Sequence, residues 1–124
     1  MTYTYTIPGR LPSLNEIIRE NRANKYLAAN TKRTMTEMCG YEAKRQHIPP
    51  MKVPIILSVT WVEKDRRRDI DNVAGGGQKF LLDGLQQANI IANDNWKCVV
   101  GLVHRFAVDA SNPRIVVELI ETEA

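Results

Sequence analysis

"VPIILSVTWVE", residues 53–63, sets the frame of this chain. Val53, Ile55, Leu57, Val59 and Trp61 recur at a period of two, which places them on one face of a β-strand. Upstream, residues 24–46 hold no proline and read as a helix with a basic face. Met35, Met38 and Tyr41 fall on one side of that helix, and Lys32, Arg33, Lys44 and Arg45 are expected in solvent. "IPPM" ends it. Further upstream, "TYTYTI" (2–7) alternates Thr with Tyr3, Tyr5 and Ile7, a second strand whose tyrosines are expected in the core or at a subunit contact. The prolines of "PGRLPS" stop that strand.

Downstream of Trp61 come a charged loop, the glycine run Gly75–Gly77 and an apolar helix in which Leu81, Leu85 and Ala88 recur at i, i+4 and i+7. "ANDN" reads as a turn. "CVVGLVHRFAV" and "RIVVELI" read as strands joined by "DASNP", an expected hairpin. The order β-α-β-α-β-β predicts one α+β domain over residues 1–124, a mixed sheet with helices packed against it.

The charges are unevenly placed. The chain carries +3 overall with a pI of about 9.0. Between Arg10 and His47 eight Lys/Arg face four Glu, whereas Glu118, Glu121 and Glu123 follow Arg114 without a basic residue. A basic first half is the footprint expected for an anionic partner. No apolar run approaches the roughly 18 residues of a membrane span. "MTYTYTIPGR" has no basic region leading into an apolar stretch, so no secretory signal is expected. Cys39 and Cys98 lack C-x-x-C spacing; they are expected to be reduced and buried in a cytoplasmic protein.

The chemistry concentrates in "KDRRRDIDN", residues 64–72. Three arginines adjoin two aspartates spaced two apart. In an extended backbone Asp69 and Asp71 would point to the same side. Hard divalent cations such as Mg²⁺ take one or two carboxylates together with substrate phosphate oxygens. Arginines hold phosphates through charge-assisted hydrogen bonds. Asp94 is the natural third ligand, since a helix and a turn can return the chain to where it left the sheet. Each feature alone has a plainer reading: Asp71 as a helix cap, Asp94 as a turn residue, the arginines as a solvated patch.

"RRRDIDN", then the apolar helix "KFLLDGL", then "ANDNW", resembles the RusA family of Holliday junction resolvases. "IPGRLPSLN" and the two closing strands resemble it too, so the likeness runs in order through nearly the whole chain. What the resemblance implies is a small, dimeric, Mg²⁺-dependent endodeoxyribonuclease, with Mn²⁺ as a substitute ion, often encoded by phages and prophages. Its substrate would be branched DNA, the four-way junction of recombination and repair. The family's catalytic, metal-holding carboxylates fall on Asp69, Asp71 and Asp94, and its functional lysine on Lys79. Arg66, Arg67, Arg68 and Asn72 match positions of DNA contact. "VAGGGQ", between Asn72 and Lys79, is about four residues longer than the best-known member's pattern, roughly one helical turn.

Several residues keep two readings. Lys79 is a catalytic or DNA-contacting group, or the i,i+4 partner of Asp83. The glycine run means either that the helix begins near Gln78 or that its backbone approaches something closely. Trp96 is a lid over its turn or a base-stacking group. Trp61 fits the core, His104 a structural or surface position, and His47 a cation at a helix end. Two other functions compete: a non-catalytic phage-type DNA-binding module with structural aspartates, and a sugar-nucleotide transferase, for which the chain is short.

Overall fold

The computed structural model describes residues 1–123. The elements are β1 (Thr2–Pro8), α1 (Leu14–Ala23), α2 (Lys25–Arg45), β2 (Ile55–Glu63), α3 (Ile70–Gln87), β3 (Val99–Val108) and β4 (Arg114–Glu121). The four strands form one mixed sheet in the order β1-β4-β2-β3. β4 pairs antiparallel with both β1 and β2, and β3 pairs parallel with β2. This is the expected α+β class, with one more helix than the sequence reading allowed.

The core lies between one face of the sheet and the helices. Tyr5 and Ile7 of β1, Ile55, Leu57, Val59 and Trp61 of β2, and Ile115, Val117 and Leu119 of β4 meet Leu81 and Leu85 of α3 and Ala88 at its C-cap there. The period-two strands and the i, i+4, i+7 helix thus bury most of the residues their patterns mark, except that Val53 precedes β2 and is half-buried, as is Tyr3. Removing any one of these large aliphatic side chains to alanine would cost about 2–5 kcal/mol. On α2, Cys39 and Ala43 are fully buried and Met35 and Met38 partly so, but Tyr41 is 65% exposed and lies off the apolar stripe.

Three expectations change. The segment 14–23 is a helix that the sequence reading passed over. Its signal is "SLNE": the Ser13 hydroxyl accepts from the Glu16 N–H and donates to the Glu16 carboxylate, a reciprocal cap. Asn24 then breaks the chain with an extended backbone and restarts it, its side chain accepting from the N–H groups of Tyr26 and Leu27.

β3 and β4 are not a hairpin. They flank β2 on opposite sides, and the link between them crosses the end of β2, where the Asp109 N–H donates to the Glu63 carbonyl. The physical reason lies in α3. A helical crossover after β2 returns the chain to the start of the sheet, so β3 joins β2 parallel. The remaining edge of β2 is filled by β4, whose alternating Ile115, Val117 and Leu119 fit an interior strand.

α3 begins at Ile70, so Gly75–Gly77 lie inside a helix. The close-approach reading explains two of the three. A Cβ on Gly76 would stand 2.5 Å from the Leu14 backbone nitrogen, and one on Gly77 would overlap the Trp61 ring. Gly75 meets nothing nearer than Leu14 Cδ2 at 3.7 Å. A fourth glycine, Gly84, packs against Gly40, bringing α3 and α2 nearly into backbone contact.

Cys39 is buried and Cys98 half-buried, and both are free thiols. Burial pushes the Cys39 thiol up to about 12, so it is an unreactive core residue.

Candidate active site

The long β2 strand ends at Glu63 and the chain turns at once into α3 through residues 64–69. Arg68 organises this turn. Its Nε and Nη2 donate to both carboxylate oxygens of Glu63 at 2.7 and 2.9 Å. Its Nη1 donates to the Leu11 carbonyl and to Glu16 at 2.8 and 3.1 Å. Burial opposes charge on the guanidinium, but the hydrogen bonds to Glu63 and Glu16 outweigh it and push its pKa up. Burial likewise opposes charge on Glu16, and its bonds to Arg68 and Ser13 hold the carboxyl below its usual range. Arg68 therefore ties β2, the β1–α1 link and α1 together. Arg66 and Arg67 are exposed, with Arg67 3.6 Å from Asp65.

Asp69 is the N-cap residue of α3, yet its side chain makes no cap hydrogen bond. Asp71 is the second residue of the helix and accepts from the Asn72 N–H at 3.0 Å. The two aspartates are thus not on one extended segment, because α3 starts between them. Both are exposed, and among the described residues neither forms an ion pair. They stand at the positive end of a helix macrodipole, where anionic groups are favoured. Asn72 is half-buried beside them. A cleft of about 520 Å³ opens here, lined by Asp69, Arg66, Arg68, Ile70, Glu63 and Phe106 among others.

Lys79 lies eight residues after Asp71, about 12 Å along the helix axis. Its ammonium donates to Asp94 at 3.0 Å and lies 3.0 Å from Asp83, one turn on. The bond to Asp94, then that to Asp83, pushes the lysine's pKa up. The pair with Asp83 expected from the i,i+4 spacing is therefore present, and Asp94 is a further partner that the spacing does not indicate. Lys79 faces a different groove from Asp69, one shared with Lys25, Lys32, Gly75 and Phe80. The structure brings Lys79, Asp83 and Asp94 together, and Asp69 with Arg66 and Arg68. Among the described residues no group of three or more His, Cys, Asp or Glu stands close enough to hold a metal ion.

A third cluster ties the sheet to α3. The Trp61 indole N–H donates to His104 Nδ1 at 3.0 Å, and His104 Nε2 lies 3.0 Å from the Gln78 side-chain oxygen. Burial holds the imidazole below its usual pKa. With Nδ1 accepting, Nε2 carries the proton and donates to Gln78. His104 is thus structural, as one of its two readings had it.

A family model, Endodeoxyribonuclease RusA, matches residues 8–120. The chain belongs to the RusA endodeoxyribonuclease family. The match includes only Pro8 of β1 and stops one residue short of the end of β4, but takes in every element between them, so the glycine-bearing α3 sits inside the family frame. It makes this chain a nuclease of the hydrolase class, with Holliday junction resolution as the family's activity. Comparison with curated proteins gave no match. No helix of the described residues is long and apolar enough to cross a membrane.

Proposed function

We propose that this protein is a Mg²⁺-dependent crossover junction endodeoxyribonuclease that cuts four-way DNA by paired phosphodiester hydrolysis. The observation that carries this is the pairing of two exposed carboxylates without basic partners, Asp69 and Asp71, with the exposed Arg66 and Arg67 in one strand-to-helix turn, inside a chain of an endodeoxyribonuclease family.

Asp69 and Asp71 suit a divalent cation that completes its shell with phosphate oxygens and water, the usual mode for Mg²⁺. Such an ion, or Mn²⁺ in its place, would supply Lewis-acid charge and an activated water. Asp94 is the third carboxylate of the proposal. Its side chain is held by Lys79 in the conformation described, so joining the pair requires it to leave that lysine.

The other residues act on the DNA or hold the groups that do. Arg66 and Arg67 neutralise backbone phosphates without reading sequence. Arg68 keeps the loop in place from inside, and Asn72 borders the Asp pair. Lys79, kept charged by its two carboxylates, supplies positive charge beside the strand to be cut. Asp71, Gly75 and Lys79 follow one another at i+4 along α3, and Gly75 leaves the stretch between the charged pair bare of side chain.

The proposal includes a homodimer acting in the cytoplasm on recombination and repair intermediates. Two equal sites related by a two-fold axis suit two opposed strands of a junction. β3 supports this. It is an outer strand of the sheet, and it exposes Val100, Leu102, Val103, Phe106 and Val108. A long apolar edge of this kind is ordinarily covered.

The test is nicking of a labelled four-way junction with Mg²⁺ and with chelator. Paired nicks in opposed strands only with the metal support the proposal. Tight junction binding without any nick would instead favour a non-catalytic DNA-binding module.

A further inference from the structure

Trp96 is 91% exposed, while Trp61, the other tryptophan, is 1% exposed. An indole is large and apolar, and full exposure of one is unusual in a folded chain. It does not lie over its turn as a lid. Its surroundings, however, are pinned. The Asn95 side chain accepts from the Lys97 N–H at 3.0 Å, and the Asn95 carbonyl accepts from Cys98 and Val99 at 3.0 and 2.9 Å. Asn93 accepts from the Asp94 N–H at 2.7 Å, and the Asp94 carboxylate is bonded to Lys79. A well-hydrogen-bonded turn thus presents one unpartnered aromatic face, two residues from a candidate catalytic carboxylate and next to Lys97. Among the described residues the one stacked ring pair is Trp61–His104.

We propose that Trp96 is a stacking platform for a nucleobase that has left the duplex stack, taken from the branch point of the substrate. This rests on the nuclease reading and deepens it. Inside a duplex every base face is already covered by its neighbours. At a branch point the terminal pairs lose a neighbour, and an indole can replace it. Stacking tolerates any base, because each has a π-face. Trp96 would therefore favour branched or open DNA over linear duplex without imposing a sequence. The neighbouring Lys97 supplies positive charge that keeps the flanking phosphates close.

The two tryptophans make the test direct. Trp61 lies under Gly77 with its N–H bonded to His104, so the solvent-accessible emission belongs to Trp96. A four-way junction and a linear duplex of equal length are titrated into Asp71→Asn protein with Mg²⁺, reading tryptophan fluorescence alongside the anisotropy of labelled DNA. The expected result is quenching that saturates with junction binding and is weaker with duplex. Trp96→Ala should lose about ten- to a hundredfold in junction affinity, and Trp96→Phe should recover most of it.

Junction binding with unchanged Trp96 emission, or Trp96→Ala binding as tightly as the parent, would overturn the inference and leave the nuclease reading standing. Loss of affinity in Trp96→Ala accompanied by a change to monomer in sedimentation would overturn it in favour of a subunit contact. Failure of the parent to bind any junction would remove the nuclease reading and this inference with it.

Discussion

Lys79 Nζ and Asp94 Oδ2 are 3.0 Å apart, joining the middle of α3 to the turn before β3. This bond, with Asp83 on the other side, holds a charged lysine against Asp94. Because the lysine's pKa is raised, the pairing contributes fully below its unfolded value near 10.5 and is lost as pH rises through the higher folded value. The side chain is 57% exposed, so solvent screens the contribution to at most about 1 kcal/mol. Lys79→Ala should therefore leave the urea midpoint nearly unchanged. Its junction cutting should fall about ten- to a hundredfold, as for loss of one charge aimed at a reacting phosphate. Equal cutting by Lys79→Ala and the parent would assign the lysine to surface pairing alone.

Adjacent glycines of α3 should respond oppositely to alanine. Gly75→Ala has room beside Leu14 and should stabilise the helix by about 0.5–1 kcal/mol. Gly76→Ala drives its Cβ into the Ser13–Leu14 backbone and should destabilise by about 1–3 kcal/mol, as α1 is pushed off. Chemical denaturation of the two variants reads both signs.

These glycines show how far the sequence could be read. Period alone placed Leu57, Val59, Trp61, Leu81 and Leu85 in the core, because burial in strands and helices imposes those spacings. The start of α3 was hidden because helix propensity argues against three glycines in a row, while the close approaches that favour them come from Trp61 and from residues 12–14, remote in sequence. The β4 insertion between β1 and β2 was equally hidden, since "DASNP" is compatible with a tight hairpin and only the crossover of α3 decides otherwise. At the site, the Arg/Asp block and Lys79 were visible as types and spacings. The inward role of Arg68 was not, because Glu63 and Glu16 meet it only in the fold.

The Tyr5 hydroxyl is buried without a hydrogen-bond partner among the described residues, and burial raises its pKa strongly. An orphaned buried polar group costs about 1–3 kcal/mol. Tyr5→Phe should thus raise stability by about 1 kcal/mol, measured as a higher urea midpoint at unchanged slope. A drop in midpoint would mean that the hydroxyl has a partner, such as an internal water.

His104 makes stability fall in mild acid. Its folded pKa is lowered by burial, so the unfolded chain takes up its proton first as pH drops below about 6.5. Stability is fully present above that value and declines toward the folded pKa. Protonation also sets an Nδ1–H against the Trp61 N–H. The loss of stability between pH 7.5 and 5.5 should be smaller in His104→Gln than in the parent, although that variant starts less stable. Parallel pH curves would assign the acid sensitivity to other groups.

The central claim is that Asp71 holds the hydrolytic ion and is not a mere helix-start residue. Its most direct measurement compares Asp71→Asn with the parent in Mg²⁺, following nicking and affinity on the same four-way junction. Groups that only support a metal ligand are commonly worth ten- to a hundredfold, so removing a ligand charge should reduce cutting by about a hundredfold or more. Affinity should hold or rise, since one negative charge beside the phosphates is gone. Unimpaired cutting by Asp71→Asn would contradict the account.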